Sequence, residues 1–515
     1  MDLTDPLQGI TFKEIRKSPA NRKSNSLHIP VAIIGMGAVM PKSKDLDQLW
    51  DNLAGGVDMV SEIPASRWDW QAIYGNPVKE HGKTNIKWGG FIDGVDLFDS
   101  LFFGISPREA EHMDPQQRIF LQTVWKTMEN AGYQAADLSG TKTGLFVGLA
   151  SMDYLDLMRI NNIEVQAQTA SGLSHCILAN RISYLLNLRG PSEAFDTACS
   201  SSLVAVHKAI QSIGNGECDL AFAGGVNLIL TPGIHLSLSK AGMLSGTGRC
   251  RAFDQDADGY VRSEGVCSVL LKPLDKAEAD GDHIYGVIQG TAINHGGHSM
   301  FLTAPSSAAQ AEATVSAWRK SGLDPDTVTY LEAHGSGTRL GDPVEVEGIL
   351  KAFRELYRDW GKELSEKPRC GLGTIKSNLG HPETVAGIAG LIKVVLAMNK
   401  GLIPANLHYS KLNPEIKLDK TPFYIVDQNK EWDRLRDSEE REIPRRAGVN
   451  SYGFGGVNAH AVVEEYIDVR PMGMEAVGKR HLIVLSAKTS DRLKAYALEM
   501  SNYFKKKQVT TSAIP

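Results

Sequence analysis

Short apolar runs that end in glycine turns alternate with amphipathic stretches along most of this chain. The first run, Val31-Ala32-Ile33-Ile34-Gly35-Met36-Gly37, reads as a buried strand entering a tight turn. Further strands are expected over 144–148, 193–198, 220–229, 266–272, 285–292, 328–333 and 461–465. Helical spacing marks 115–131, 200–214, 308–321, 343–354 and 383–399. Strands interleaved with helices in this way predict an α/β architecture.

The pattern changes at both ends. Residues 1–29 are polar and mixed in charge and read as a linker. After Tyr466, a new strand is expected over 480–487 and a Lys-rich amphipathic helix over 489–507. The expected organisation is therefore an N-terminal linker (1–29), one large domain (30–466) and the opening of a flanking α/β subdomain (467–515). On this reading the chain is a piece of something longer.

With 42% hydrophobic residues in 515, there is ample material for a core. A net charge of −5 gives no electrostatic argument for nucleic acid or an anionic membrane. No apolar run is long enough to predict a transmembrane helix. Cys176, Cys199, Cys218, Cys250, Cys267 and Cys370 have no metal-ligand spacing and read as reduced thiols of a cytoplasmic protein.

The candidate chemistry lies in three turns. Cys199 stands in Asp196-Thr197-Ala198-Cys199-Ser200-Ser201-Ser202, between a strand and a helix. A thiol at a helix N-terminus feels the positive end of the macrodipole, which favours thiolate. His334 opens Gly335-Ser336-Gly337-Thr338, and His381 follows Lys376-Ser377-Asn378-Leu379-Gly380 and precedes a helix rich in small residues. One thiol and two imidazoles in Gly- or Ser-rich turns point to acyl chemistry by a nucleophile with two proton donors or acceptors. Other apparent motifs fail. Gly35-Met36-Gly37 lacks the third glycine of a dinucleotide fingerprint, because Met40 stands there. Asp254-Gln255-Asp256-Ala257-Asp258-Gly259 imitates a calcium loop but has Gly265 where the twelfth-position Glu belongs. His295 and His298 share a polar loop with no third ligand and read as solvent-facing or packing residues.

Together, 196–202, 332–338 with Leu340-Gly341-Asp342-Pro343, 376–381 and 450–460 closely resemble the ketosynthase domain of modular polyketide synthases. Met113-Asp114-Pro115-Gln116-Gln117-Arg118 and the stretch from Arg251-Ala252-Phe253-Asp254 to Glu264-Gly265 match further landmarks of that family. His481-Leu482-Ile483-Val484-Leu485-Ser486-Ala487-Lys488 and Gly190-Pro191-Ser192-Glu193 resemble synthases whose acyltransferase acts in trans. Thiolases, the near relatives, use a second cysteine late in the chain. The last one here is Cys370, ahead of the Lys376 motif.

The resemblance implies a thiolase fold, two similar α/β halves in layers, assembled as a homodimer. It implies that Cys199 takes an acyl chain from an acyl carrier protein and condenses it with a decarboxylated malonyl unit on a second carrier. A non-elongating ketosynthase that only passes the chain on is the alternative. His334 and His381 would stabilise the enolate, Phe454 would lend its backbone N–H and gate the site, and Ser336 and Thr338 would meet the pantetheine amides. Lys376 is expected to pair with Glu383 and support His381. No cofactor is expected to be bound by the domain itself, since phosphopantetheine is supplied on the carrier, and no metal is expected. Other polyketide synthase domains are the expected neighbours. Ser336 stands where Thr is common and Pro382 where a larger apolar residue is usual. Neither is expected to disturb the site, because a hydroxyl is kept and proline suits a first helical turn.

Overall fold

The computed structural model describes residues 29–469 and 482–507. The expected linker lies outside these residues except for Ile29. Five strands make the first half: β1 (Val31–Val39), β2 (Thr143–Gly148), β3 (Ser192–Phe195), β4 (Leu220–Asn227) and β5 (Gly265–Pro273). They pair in the order β3-β2-β4-β5-β1, with β2 parallel to β3 and β4, and β5 antiparallel to β4 and β1.

The second half repeats this plan with β6 (Gly286–His295), β7 (Tyr330–Glu332), β8 (Cys370–Gly373), an edge strand β9 (Phe423–Ile425), β10 (Arg446–Tyr452) and β11 (Val457–Glu464). Its order is β8-β7-β10-β11-β6 with the same parallel and antiparallel senses, and β9 extends it beyond β8. The halves join where Val31–Ile33 of β1 pairs with 286–288 of β6, giving one eleven-stranded sheet. Two similar α/β halves are therefore present, as expected.

Alternation along the strands explains the layers. In β1, Val31 and Ile33 face the central core, whereas Ala32 and Ile34 face an outer one. The outer core of the first half is completed by α1 (Pro115–Asn130) and α2 (His175–Leu185). Between the two halves of the sheet lie α3 (Ser201–Gly214) and, from the other half, α6 (Ala386–Lys400). The outer face of the second half is covered by α4 (Ser307–Ser321) and α5 (Gly341–Asp359). Both faces of each half are covered, so its strands read as apolar runs rather than simple alternation. Every residue of α6 from Ala386 to Met398 is buried, the state expected of a helix that is apolar all round.

The first strand runs on through Gly35 and Gly37 to Val39 instead of turning at them, several other boundaries shift by a few residues, and three further differences matter more. The strand expected to reach Ala198 stops at Phe195, because the chain must turn there to deliver Cys199. The helix expected over 383–399 divides into a tight 3₁₀ turn, Glu383–Val385, followed by α6. The strand expected over 480–487 is not formed in its described part. Residues 482–487 pair with no neighbour, and Leu482 and Val484 are exposed, so that backbone lacks a sheet edge to join. Residues 480 and 481 lie outside the described residues. The terminal helix forms as α7 (Ser490–Lys507). Among the described residues no helix is long and apolar enough to cross a membrane.

The crossing of α3 and α6 is close enough to require a glycine. A Cβ on Gly387 would stand 2.6 Å from Leu203 Cβ and 3.1 Å from Ser451 Cβ. Gly387→Val is expected to destabilise the fold by roughly 1–3 kcal/mol through overpacking, read as a lower urea denaturation midpoint. An unchanged midpoint would show that the two helices can separate freely.

Candidate active site

Cys199 occupies the 3₁₀ turn Ala198–Ser200, directly before α3. Ala198 has φ +55°, a left-handed conformation that costs a residue with a Cβ about 1–3 kcal/mol. The serines and their neighbours hold that turn. Ser201 Oγ donates to the Ala198 carbonyl at 2.6 Å and accepts from Thr197 N–H at 2.9 Å, while Ser200 Oγ donates to the Thr197 carbonyl at 2.9 Å. From β10, Ser451 Oγ donates to the Cys199 carbonyl at 2.8 Å. Gly453 passes so close that a Cβ there would meet the Thr197 carbonyl oxygen at 2.3 Å.

The helix N-terminus that favours thiolate is opposed by the surroundings of the sulfur. Burial, and then the Glu383 charge, push the Cys199 thiol up to about 12. Lys376 and the backbone N–H groups of Phe454 and Cys199, which reach the sulfur, pull the other way without overcoming burial.

His334 and His381 face each other near the thiol, with ring centroids 5.3 Å apart and planes at 78°. Burial, reinforced by the Lys376 charge, holds both imidazoles well below their ordinary value near 6.5. Each Nδ1 accepts a backbone N–H: His334 from Tyr452 at 3.3 Å, His381 from Glu383 at 2.9 Å. A backbone N–H can only donate, so each Nδ1 presents its lone pair and the hydrogen resides on Nε2. The pair consists of two neutral N–H donors that can converge on one oxygen.

Long-range contacts fix these rings. Glu345 of α5 accepts from the backbone N–H of His334 at 2.7 Å and of Gly335 at 2.8 Å. Asn450 donates to Glu345 at 2.9 Å and accepts from His460, whose other nitrogen accepts from Trp318. The motif at 450–460 thus braces His334 from behind. Glu332, just before His334, accepts from Tyr330 at 2.6 Å, from Ile375 N–H at 2.6 Å and from Lys393 at 2.8 Å.

The expected pairing of Lys376 with Glu383 is corrected. The Lys376 ammonium donates to the His334 carbonyl at 2.5 Å, and burial pulls it below the ordinary lysine range against the opposing charges of Glu332 and Glu345. Glu383 is held instead by Arg262, with Nε at 2.5 Å from one carboxylate oxygen and Nη2 at 3.0 Å from the other. Glu383 has φ +46°, so this ion pair fixes a strained residue whose N–H orients His381. The Arg262 strand segment also grips His381 directly. His381 N–H donates to Val261 at 2.7 Å, and Ser263 N–H donates to the His381 carbonyl at 2.9 Å.

Arg262, Glu345 and Tyr260 are site residues that the sequence reading did not single out. Arg262 and Glu345 lie close to stretches already noted, but nothing local marks what they touch.

A cleft of about 590 Å³ opens over Cys199, His334 and His381. Ser336, Thr338 and Phe454 line it, so every residue expected to contact substrate is gathered at one place. Ser336 and Thr338 hydroxyls are 3.2 Å apart. Phe454, 56% exposed, stands in the loop between β10 and β11. His295, an exposed residue, meets the carbonyl of Gly455 in that loop at 3.0 Å through its Nε2.

Residues 29–277 match the N-terminal domain of β-ketoacyl synthases, 285–410 their C-terminal domain, and 413–513 the ketoacyl-synthetase C-terminal extension. The chain is 49% identical to polyketide synthase PksN of Bacillus subtilis over 498 residues, 96% of this chain and 9% of that protein. It therefore spans about a tenth of that relative. Among solved structures it resembles an oxazolomycin ketosynthase domain of Streptomyces albus (TM-score 0.87, 40% identity, covering 93% of this chain and 80% of that one). The ketosynthase from module 6 of the bacillaene synthase of Bacillus subtilis is similar too (TM-score 0.84, 40% identity, 93% and 78%). With family models matched over 29–277 and 285–410 and relatives at 40–49% identity across more than nine-tenths of it, the chain belongs to the β-ketoacyl synthases, as a ketosynthase domain of the polyketide synthase kind.

Proposed function

We propose that this domain elongates a polyketide chain by decarboxylative condensation within a synthase of the trans-acyltransferase type. The observation that carries the reading is the pair of neutral Nε2–H groups in one cleft with the Cys199 thiol.

In the first half-reaction the Cys199 sulfur attacks the thioester of an acyl chain carried on an acyl carrier protein. A sulfur–carbon bond forms to Cys199, the bond to the pantetheine sulfur breaks, and the proton lost by Cys199 ends on the departing thiol. The exchange is neutral in protons overall, so a thiol protonated at rest is compatible with it. The backbone N–H groups of Cys199 and Phe454 form the oxyanion site for the attacked carbonyl. In the second, a malonyl thioester loses carbon dioxide and its carbonyl oxygen gains negative charge. His334 and His381 donate to that oxygen, and the enolate carbon attacks the Cys199 thioester; the carbon–sulfur bond to Cys199 breaks, the β-ketoacyl carrier is released, and the departing sulfur takes one proton from solvent to restore the thiol. Neutral donors suit this step because a fixed dipole aimed at developing charge needs no reorganisation.

Ser336 and Thr338 meet the phosphopantetheine arm, which supplies the thiol carrying each acyl group, and Phe454 gates the cleft. Lys376, Arg262 and Glu383 orient the imidazoles rather than exchange protons. Among the described residues the first half of the sheet ends in the unpaired edge of β3, packed against the helix that carries the exposed Tyr184, which supports a homodimer formed across that edge. The six free cysteines support a reducing, cytoplasmic setting.

Intact-protein mass spectrometry separates the half-reactions. The wild type is expected to gain the acyl mass and then convert a malonyl carrier to the β-ketoacyl carrier, whereas Cys199→Ala gains nothing. His334→Ala and His381→Ala should still acylate but condense about 10²–10³-fold more slowly. Acyl loading without condensation in the wild type would instead favour a transfer-only domain.

Histidine-selective ¹⁵N spectra give a second check. Both rings are expected to keep hydrogen on Nε2 as pH falls through 6.5, since their folded values are depressed. The unfolded chain takes up those protons near 6.5 and the folded one does not, so the contribution of the two rings to stability is lost as pH drops below that point. A titration of either ring near 6.5 would contradict the assignment.

A further inference from the structure

Tyr260 has no part in the chemistry above, yet its side chain lines the cleft beside Cys199, His334 and His381. Its ring centroid lies 5.1 Å from that of His381 at 55°. The backbone that sets His381 also sets this ring, because the next residue, Val261, accepts the His381 N–H. Among the described residues the Tyr260 hydroxyl has no hydrogen-bond partner. The nearby carboxylate, Glu383, is committed to both arms of Arg262, and His381 Nδ1 is occupied by the Glu383 N–H. Burial, and then the Glu383 charge, hold the phenol well above 10, so it remains a hydrogen-bond donor at neutral pH.

Tyr260 is half-buried and its hydroxyl is not sealed from solvent, so a ligand that fills the cleft can accept from it. Met243, Phe301, Pro305 and Leu340 contribute apolar surface to a cleft that is otherwise lined by polar groups, and a hydroxyl donor in it can discriminate between acyl chains that do and do not carry an acceptor. Two oxygens could reach this hydroxyl: one on the acyl chain bound to Cys199, or the malonyl carboxylate. The second is disfavoured, because a hydrogen bond to that carboxylate stabilises the charge that decarboxylation removes and so binds the ground state more tightly than the transition state.

Resting on the ketosynthase reading above, we propose that Tyr260 donates a hydrogen bond to an oxygen near the thioester of the acyl chain on Cys199. The cleft then selects 3-hydroxyacyl chains over hydrocarbon chains of equal length.

The test compares Cys199 acylation by the N-acetylcysteamine thioesters of butyrate and of each 3-hydroxybutyrate enantiomer, in the wild type and in Tyr260→Phe, followed by intact-protein mass spectrometry. One 3-hydroxybutyryl enantiomer is expected to load faster than butyryl on the wild type. The ratio of those two rates should fall about three- to tenfold in Tyr260→Phe, the range of one neutral hydrogen bond. A wild type without that preference, or a ratio unchanged in the variant, overturns the proposal. So does an effect that emerges only when malonyl carrier is added and is the same for every acyl chain, since that assigns the hydroxyl to the malonyl unit. If no thioester loads Cys199 on either protein, the ketosynthase reading itself fails and this proposal falls with it.

Discussion

Two imidazoles kept neutral, each with its hydrogen on Nε2, are the condition the rest of the site serves. Burial alone would make them neutral but would not choose the tautomer. The choice is made by two backbone N–H groups, from Tyr452 and Glu383, each pointed at an Nδ1. Both residues are in turn held by the fold: Tyr452 ends β10 in the middle of the second half, and Glu383 is clamped by Arg262 in a left-handed conformation. Lys376 contributes in two ways. Its charge depresses both rings, and its hydrogen bond fixes the His334 carbonyl.

The repeated topology explains how these groups meet. α3 follows β3 in the first half, and α6 follows β8 at the equivalent place in the second. Each is entered through a short 3₁₀ turn, Ala198–Ser200 and Glu383–Val385, and each turn contains one non-glycine residue with positive φ. The two helix starts are tied together, since Ser202 Oγ accepts from Ile388 N–H at 3.2 Å. One half therefore supplies the nucleophile at its central helix and the other supplies His381 at the matching position. The strain at Ala198 and Glu383 is sustained by the hydrogen bonds around them, as expected where geometry serves a site.

Much of this was legible in the sequence because turns announce themselves. The glycines and serines around Cys199, His334 and His381 mark bends locally, and the apolar runs mark strands buried on both faces. The polar support was less legible, because it depends on contacts between residues distant in the chain. Glu345 reads as one more charge on an amphipathic helix until α5 is packed behind His334. Arg262 lies within the stretch from Arg251 to Gly265 noted in the sequence, but nothing local shows that it is 2% exposed and spans to Glu383. Lys376 and Glu383 are near neighbours in sequence with opposite charges, which made the pairing attractive. The turn at Gly380, with φ +86°, and the bridge between Arg262 and His381 send them to different partners. The strand expected over 480–487 failed for a related reason: apolar composition makes a segment able to pair but supplies no edge to pair with.

The elevated thiol and the depressed imidazoles follow from the same cause. Desolvation disfavours whichever form carries charge, so it raises Cys199 and lowers His334 and His381 together. An ion pair of thiolate and imidazolium would therefore be disfavoured twice over in this site, and the resting state is the uncharged one. That state suits acyl exchange, in which one thiol replaces another and no net proton is taken up or released. It also suits decarboxylation, where the charge that arises is on the substrate oxygen and the protein's task is to present donors already in place. Burying the centre thus makes each hydrogen bond to that oxygen stronger while removing the charged alternatives that would compete with it.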